Sequence, residues 1–214
     1  PVASGAFLRG DELVLRQGRE RVLCRAGDLL LRGRHNVANV LTAACCAMAG
    51  GVPLEAIRRA ATSFRGVPHR LEPVRRWRDI LFVNDSIATS PERAIAALNA
   101  YSEPLVLLAG GRDKHLPWDR WADLVLRRVR VVIAFGELSS IVAAALAEAQ
   151  QRAGVGRRRV ALHRTGTMQQ AVTIAGRLAQ PGDVVLLSPG GTSFDAYRDF
   201  EARGVCFRQL VNEL

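Results

Sequence analysis

The residues of this chain that could do chemistry lie in four polar, glycine-rich segments, each of which follows a short apolar run. The segments are residues 84–91, 110–114, 136–137 and 188–193. Hydroxyl groups, backbone N–H groups and a cation together favour anions, and the single lysine of the chain, Lys114, supplies the cation. This set predicts a small carboxylate ligand. Asp85, directly after an apolar run, is suited to accept hydrogen bonds from hydroxyl groups such as those of a ribose.

Each segment also has a purely structural interpretation. Ser90 is suited to cap the helix that follows it, and Gly110 with Gly111 is suited to a turn. Thr192 or Ser193 is suited to cap the last helix. Because ligands of an open α/β sheet bind outside the carboxyl ends of its strands, three such segments at that one edge favour a binding site.

Several motifs that would indicate other chemistry are absent from the sequence. No GxxxxGK[ST] segment occurs and no GxGxxG follows an apolar run, so no phosphate-binding loop is predicted. HExxH and GxSxG are absent as well. The four histidines lack the spacing of metal ligands and the four cysteines form no CxxC pair, so neither a metal site nor a disulfide framework is predicted.

The segments that must position these residues alternate regularly between strand and helix. Short apolar runs predict strands at residues 80–84, 105–109, 131–135, 160–162 and 184–187. Helices are predicted between and after them, at residues 91–99, 118–127, 139–150, 168–179 and 194–203. Strands that alternate with helices, and that lack internal alternation, indicate a Rossmann-like α/β fold with a doubly wound, mostly parallel sheet.

The first third of the chain has a different pattern. Short β segments are predicted at residues 5–9, 12–16, 21–25 and 28–32, followed by a helix at 37–48 with Asn36 as its N-cap and a second helix at 54–63. A turn-rich stretch at residues 65–68 predicts a domain boundary, with domains at 1–66 and 67–214. The absence of an initiating methionine suggests a cut from a longer chain, and no signal peptide or membrane span is predicted.

The composition leaves one other class of function open. The net charge of +10 could indicate a polyanionic partner, which keeps a basic nucleic-acid-binding module as an alternative. The arginines are scattered, however, and no aromatic residues alternate with them as a single-strand-binding surface requires. We therefore expect no nucleic acid partner.

Taken together, the motifs resemble the Mur ligase family, and its D-glutamate-adding branch in particular, over nearly the whole chain. The residues that carry the resemblance are Gly33-Arg34-His35-Asn36 with Asn39, residues 66–72, Asn84-Asp85-Ser86, residues 110–114, and residues 188–195 with Phe200 and Arg203-Gly204. The resemblance implies that residues 1–66 end a central ATP-binding domain and that residues 67–214 form a C-terminal Rossmann-like domain. It also implies a cytoplasmic, monomeric enzyme of peptidoglycan synthesis.

The resemblance also assigns roles to individual residues. Asn36 and Asn39 would face the adenine of ATP, and Arg70 and Asp85 would hold its ribose. The residues that would line the D-glutamate site are Thr89, Lys114, Ser193, Phe194 and Phe200, with Lys114 on a carboxylate as the candidate catalytic residue. The implied substrates are ATP, UDP-N-acetylmuramoyl-L-alanine and D-glutamate, and the implied cofactor is Mg²⁺, whose ligands would lie mostly outside this chain.

Two departures from the family pattern bear on the acceptor. Ile87 stands where the family usually has a lysine, and residues 188–193 read Ser-Pro-Gly-Gly-Thr-Ser in place of Ser-Pro-Ala-Cys-Ala-Ser. Two further alternatives therefore stay open beside the D-glutamate ligase. One is another Mur-type or folylpolyglutamate-type ligase, and the other is a catalytically inactive homologue.

Overall fold

The computed structural model describes residues 4–154 and 159–214. The chain divides into two compact units, Pro1–Gly66 and Val67–Leu214. No helix among the described residues is long and apolar enough to cross a membrane.

The first unit is a three-stranded antiparallel sheet covered by two helices. Its elements are β1 (Ser4–Arg9), β2 (Glu12–Gln17), β3 (Arg19–Arg25), a short 3₁₀ helix (Ala26–Asp28), α1 (Arg34–Ala49) and α2 (Leu54–Ser63). The strands follow one another as a meander in the order β1-β2-β3. Leu13, Leu15 and Leu23 are buried from the sheet side, and Met48 and Ile57 are buried from the helix side.

Two predictions for the first unit were wrong. Residues 28–32 do not form a strand, because Asp28 accepts a hydrogen bond from the Arg25 N–H group (2.8 Å) and closes a 3₁₀ turn there. Asn36 is not an N-cap, because α1 begins earlier, with Gly33 at its N-cap. The Asn36 side chain lies within the first turn instead and donates to the Arg32 carbonyl group (2.8 Å).

The second unit contains a six-stranded sheet that confirms the predicted fold class. The strands are β4 (Glu72–Trp77), β5 (Ile80–Asn84), β6 (Leu105–Gly110), β7 (Val129–Phe135), β8 (Ala161–Thr165) and β9 (Val184–Gly190). They lie in the order β4-β5-β9-β6-β7-β8, and every pairing is parallel except that of β4 with β5. Sequence analysis missed β4, an edge strand that contains a proline and three charged residues in place of an apolar run.

Helices cover both faces of this sheet. They are α3 (Pro91–Leu98), α4 (Asp119–Arg128), α5 (Ser139–Ala153), α6 (Met168–Leu178) and α7 (Phe200–Asn212). One core packs around Trp121 on the side of α3, α4 and α5. The other packs around Phe82 and Phe207 on the side of α6 and α7. Burial on both faces explains why β6 and β9 are apolar along most of their length.

The strand order brings the polar segments together at one edge of the sheet. Because β9 lies between β5 and β6, and all three strands are parallel, their carboxyl ends meet at one edge of the sheet. The segments at residues 84–91, 188–193 and 110–114 are therefore neighbours. This edge is where open α/β sheets bind their ligands.

The last helix begins later than predicted. Residues 194–199 form turns, in which the Ser193 carbonyl group accepts hydrogen bonds from the N–H groups of Ala196 (3.1 Å) and Tyr197 (2.8 Å). Asp199 caps α7, since its carboxylate accepts a hydrogen bond from the Ala202 N–H group (2.6 Å). The expectation that Thr192 or Ser193 caps the last helix was therefore wrong.

The cap of α7 leads to a first prediction. Asp199→Ala removes the acceptor for a helix-terminal N–H group and should lower the free energy of unfolding by about 1 kcal/mol. Asp199→Asn keeps a side-chain oxygen at the cap. It should lower the free energy of unfolding by only a few tenths of a kcal/mol, because it loses just an exposed ion pair with Arg198. Urea unfolding of both variants measures the difference, and equal losses would contradict the cap assignment.

Candidate functional site

Asp85, directly after β5, connects that position to β9 and to the turn before β4. Its carboxylate accepts one hydrogen bond from the Leu71 N–H group (3.2 Å) and another from the Ser188 hydroxyl group (3.0 Å). Only 4% of the residue is exposed. Burial raises the pKa of Asp85 to about 7, although these two hydrogen bonds and the nearby charges of Arg70 and Arg93 act in the opposite direction.

Arg203 joins the loop after β5 to the loop after β9, and it is completely buried. Its guanidinium group donates to the Ser86 hydroxyl group (3.0 Å) and to the Ser86 carbonyl group (2.8 Å). It also donates to the carbonyl groups of Gly191 and Thr192, each at 3.1 Å. Burial lowers the pKa of Arg203 to about 10, so the group stays protonated at neutral pH.

The loop after β6 is tied to the loop after β9 through its backbone. Arg112 and Thr192 exchange two backbone hydrogen bonds, each of 2.9 Å. Gly111 precedes this bridge with φ = 109°, and a Cβ atom there would overlap the Thr192 carbonyl oxygen and approach the Arg203 guanidinium group. The Arg112 side chain forms a bidentate ion pair with Glu137, which belongs to the polar segment at residues 136–137.

Lys114 and Thr89 meet at the beginning of α3. The Lys114 Nζ atom lies 3.4 Å from the Thr89 hydroxyl oxygen. Ser90 follows Thr89 and caps α3, as one interpretation of the sequence predicted, by accepting from the Arg93 N–H group (3.5 Å). An exposed ammonium group, a hydroxyl group and a helix N-terminus therefore converge, and each of them favours a carboxylate.

The other predicted D-glutamate residues differ in their surroundings. Ser193 is 2% exposed and directly follows the bridge between Thr192 and Arg112, which places it at the same sheet edge as Lys114. Phe194 is 60% exposed, so its side chain is not packed in the core. Phe200 is half-buried at the start of α7, where its carbonyl group accepts from the Ser86 hydroxyl group (2.7 Å).

The predicted nucleotide-binding residues lie in both units. In the first unit, Asn39 and Asn36 lie one turn apart on α1, and the Asn39 side chain donates to the Asn36 side-chain oxygen (3.3 Å). In the second unit, Arg70 is exposed just before β4. The structure therefore brings Thr89 and Lys114 into direct contact, whereas the asparagine pair belongs to a separate compact unit.

The sequence alone predicts no role for Arg203. The helix predicted at residues 194–203 would end at this residue, whereas α7 begins at Phe200 and continues to Asn212. A signal was present nonetheless: Arg203, Phe207 and Val211 recur every four residues, and all three are buried on one face of α7. An arginine on the buried face of a helix indicates that its guanidinium group has hydrogen-bonding partners inside the protein.

The chain is similar to known proteins in sequence. A family model described as Mur ligase, glutamate ligase domain, matches residues 69–191. The chain is 43% identical over 210 residues to UDP-N-acetylmuramoylalanine--D-glutamate ligase of Symbiobacterium thermophilum, a match that covers 98% of this chain and 45% of that protein. It is 44% identical over 214 residues to the enzyme of the same name from Salinibacter ruber, with 99% and 44% covered. The chain thus spans less than half the length of these relatives.

Solved structures share the fold at low sequence identity. A pseudomurein peptide ligase type C from Methanothermus fervidus superimposes with a TM-score of 0.64 at 16% identity, covering 99% of this chain and 42% of that chain. A folylpolyglutamate synthase of Mycobacterium tuberculosis superimposes with a TM-score of 0.60 at 18% identity, covering 94% and 46%. At these identities the likeness concerns the fold alone.

The tight junction at Gly111 leads to a second prediction. Gly111→Ala should destabilise the chain strongly, because the new methyl group overlaps the Thr192 carbonyl oxygen as well as requiring a left-handed backbone. Gly182→Ala is the matched control, since Gly182 also has a positive φ (88°) but nothing within 4 Å of an added Cβ atom. We expect the control to cost about 1–2 kcal/mol and Gly111→Ala clearly more in thermal or urea unfolding. Equal losses of stability in the two variants would show that the loops around Gly111 can shift to accommodate the methyl group.

The environment of Asp85 leads to a third prediction, on pH dependence. Its pKa is about 7 in the folded chain against an ordinary value of 3.8. The folded state therefore binds more protons between these values, and this residue lowers the free energy of unfolding as the pH rises through that window. Asp85→Asn retains both hydrogen bonds, with its oxygen towards the Leu71 N–H group and its amide towards Ser188.

Relative to the unsubstituted chain, Asp85→Asn should be about 4 kcal/mol more stable at about pH 8 and within about 1 kcal/mol of it at about pH 4. Urea unfolding at the two pH values measures this difference. His69, whose pKa is lowered by burial, is present in both proteins and cancels from the comparison. A stability difference that does not change with pH would show that the carboxyl group titrates normally.

Proposed function

This chain belongs to the Mur ligase family, and on that premise we propose that it is the C-terminal part of an ATP-dependent ligase of peptidoglycan synthesis. The enzyme would join D-glutamate to UDP-N-acetylmuramoyl-L-alanine. The observation that carries the proposal is the meeting of Lys114 with Thr89 at the capped start of α3, which is suited to an amino acid carboxylate. The names of the two relatives support D-glutamate as the amino acid.

We further propose how the chain divides between domains of the complete enzyme. Residues 1–66 would end the central ATP-binding domain and residues 67–214 would form the C-terminal domain. The division into two compact units supports this assignment, as does the family match within the second unit. The loop that holds the ATP phosphates would lie on a preceding part of the gene product, since the relatives are more than twice as long as this chain.

The residues proposed for ATP fit its nucleoside part. Asn39 offers an exposed side-chain amide on α1 for the adenine, and it donates to the buried side chain of Asn36, which would hold it in place. Arg70 presents an exposed guanidinium group beside Asp85, whose carboxylate has acceptor capacity beyond its two internal hydrogen bonds. No group of three His, Cys, Asp or Glu residues that could hold a metal ion lies among residues 4–154 and 159–214. We propose that most of the Mg²⁺ ligands lie on another part of the complete enzyme.

The proposed reaction has two covalent steps. The carboxylate of UDP-N-acetylmuramoyl-L-alanine attacks the γ-phosphorus atom of ATP, which forms an acyl phosphate and releases ADP. The amine of D-glutamate then attacks the acyl carbon, a proton leaves the nitrogen, and phosphate departs from the tetrahedral intermediate. This chain contributes to the second step by holding D-glutamate in a fixed position, which lowers the entropic part of the barrier.

In that position, each proposed residue has a defined task. Lys114 would pair with a carboxylate of D-glutamate, and the hydroxyl groups of Thr89 and Ser193 would donate hydrogen bonds to it. Phe194 and Phe200 would cover the aliphatic part of the amino acid. The hydrogen bonds among the three loops would hold these groups in position while the substrate binds.

The proposed function is tested on the complete gene product by phosphate release from ATP. UDP-N-acetylmuramoyl-L-alanine is supplied with D-glutamate, L-lysine or meso-diaminopimelate in turn, and a parallel assay supplies a folate with L-glutamate. We expect release with D-glutamate alone. Release with another amino acid would move the acceptor within the family, release with the folate would favour a folylpolyglutamate-type ligase, and none at all would indicate an inactive homologue.

The role of Lys114 leads to a fourth prediction. Lys114→Ala should raise the KM for D-glutamate roughly tenfold to a hundredfold, the effect of losing one hydrogen bond between charged groups. The KM for ATP should stay nearly constant. Arg127→Ala is a matched control, because it removes an exposed cation from the end of α4, directly before β7 and therefore at the opposite edge of the sheet. Equal changes in the KM for D-glutamate in the two variants would show that Lys114 is not part of the D-glutamate site.

A further inference from the structure

A strained turn presents Arg70. The residues on either side of it, His69 (φ = 64°) and Leu71 (φ = 46°), both have left-handed backbone conformations. Such conformations are uncommon outside glycine, and they persist only where the surrounding structure holds them. Two such residues lie within three positions of the chain. The turn at Arg70 must therefore be held by contacts with other parts of the unit.

Hydrogen bonds to the backbone hold both ends of the turn. The Glu72 carboxylate accepts from the His69 N–H group (2.8 Å), and the Asp85 carboxylate accepts from the Leu71 N–H group (3.2 Å). The His69 carbonyl group accepts from the Ile87 N–H group (3.2 Å). The backbone on each side of Arg70 is thus fixed by a carboxylate.

Glu72 is itself held by α7 and by the end of β5. The Arg208 guanidinium group donates to its carboxylate through Nε (3.2 Å) and Nη2 (2.9 and 3.1 Å). The Asn84 side chain donates to it as well (3.2 Å). Four donor groups therefore converge on one carboxylate that is only 23% exposed, and such charge-assisted, bidentate contacts fix its position.

The His69 side chain completes the attachment to α7. Its Nδ1 atom lies 3.0 Å from the Asn84 side-chain nitrogen, and a neutral imidazole with its proton on Nε2 can accept a hydrogen bond there. Burial lowers the pKa of His69 and favours this form. A Cβ atom at position 204 would overlap Nδ1, so the ring fits only because α7 has Gly204 at this point.

Arg70 differs from these neighbours, because its side chain is exposed and has no hydrogen bond or ion pair among the described residues. The turn therefore fixes the backbone of Arg70 and leaves its guanidinium group available. We propose that Glu72 is a positioning residue, which holds the left-handed turn so that Arg70 meets the nucleotide. This inference rests on the proposed function, in which Arg70 contacts the ribose of ATP.

The test measures nucleotide affinity and catalysis separately in the complete gene product. Glu72→Ala removes the acceptor for the His69 N–H group, and it should weaken ATP binding about tenfold, as expected for one charge-assisted hydrogen bond. Glu72→Gln retains one oxygen for that N–H group, loses the ion pair with Arg208 and should have a smaller effect. The KM for D-glutamate should remain within about twofold, since a shift of that size corresponds to only a few tenths of a kcal/mol.

A double-mutant cycle with Arg70→Ala separates positioning from stability. If Glu72 acts through Arg70, Glu72→Gln should weaken ATP binding in the unsubstituted protein and have no further effect in the Arg70→Ala protein. Glu148→Ala, an exposed glutamate of α5, is the control for loss of a carboxylate. Additive effects in the cycle, or a lower melting temperature with unchanged ATP affinity, would overturn the inference and leave Glu72 a structural residue.

The same measurements distinguish failure of this inference from failure of the proposed function. ATP binding is measured by calorimetry without an acceptor, so the cycle gives its answer even if D-glutamate proves to be the wrong amino acid. A complete protein that binds ATP but ligates a different amino acid would correct the proposed function and keep the role of Glu72. A complete protein with no measurable affinity for ATP would overturn both.

Discussion

The arrangement of the sheet edge depends on the burial of one positive charge, the guanidinium group of Arg203. Removing a cation from water is costly unless its donors are satisfied, and here they reach four oxygen atoms of Ser86, Gly191 and Thr192. Each of these oxygens belongs to a loop that follows β5 or β9. Because displacing either loop would leave a buried charge without partners, the two loops are confined to one relative position.

Other features of the edge follow from that junction. Gly111 must lack a side chain because its neighbours are the Thr192 carbonyl group and Arg203, and Asp85 can stay buried because Ser188 and Leu71 supply its donors. The interior of the edge is therefore a polar network rather than an apolar core. The network ends at groups that remain exposed, among them Lys114 and Arg70. Rigid support beneath exposed charged groups is what a site for small anionic substrates requires.

The sequence was sufficient for the architecture of the second unit. Uninterrupted apolar runs indicate strands buried on both faces, and all five of them appear in the parallel part of the sheet. The polar segments after those runs indicated one edge of the sheet without any coordinates, because parallel strands all end there. The strand β4 was not predicted, because it lies at the edge of the sheet and lacks the apolar run of a strand that is buried on both faces. The functional roles of all the candidate site residues remain predictions, namely Asn36, Asn39, Arg70, Asp85, Thr89, Lys114, Ser193, Phe194 and Phe200.

The amino-acid sequence by itself therefore determined the fold class, the order of most elements and the edge at which ligands are expected, because these depend on local periodicity and on chain direction. The tertiary structure alone decided which polar residues form the network and which remain free. Asn36 and Ser193 both had the local character of a helix cap, yet Gly33 and Asp199 occupy those positions. The partners of Arg203 are more than ten residues distant along the chain, and hydrogen bonds over such separations depend on packing that no local pattern encodes.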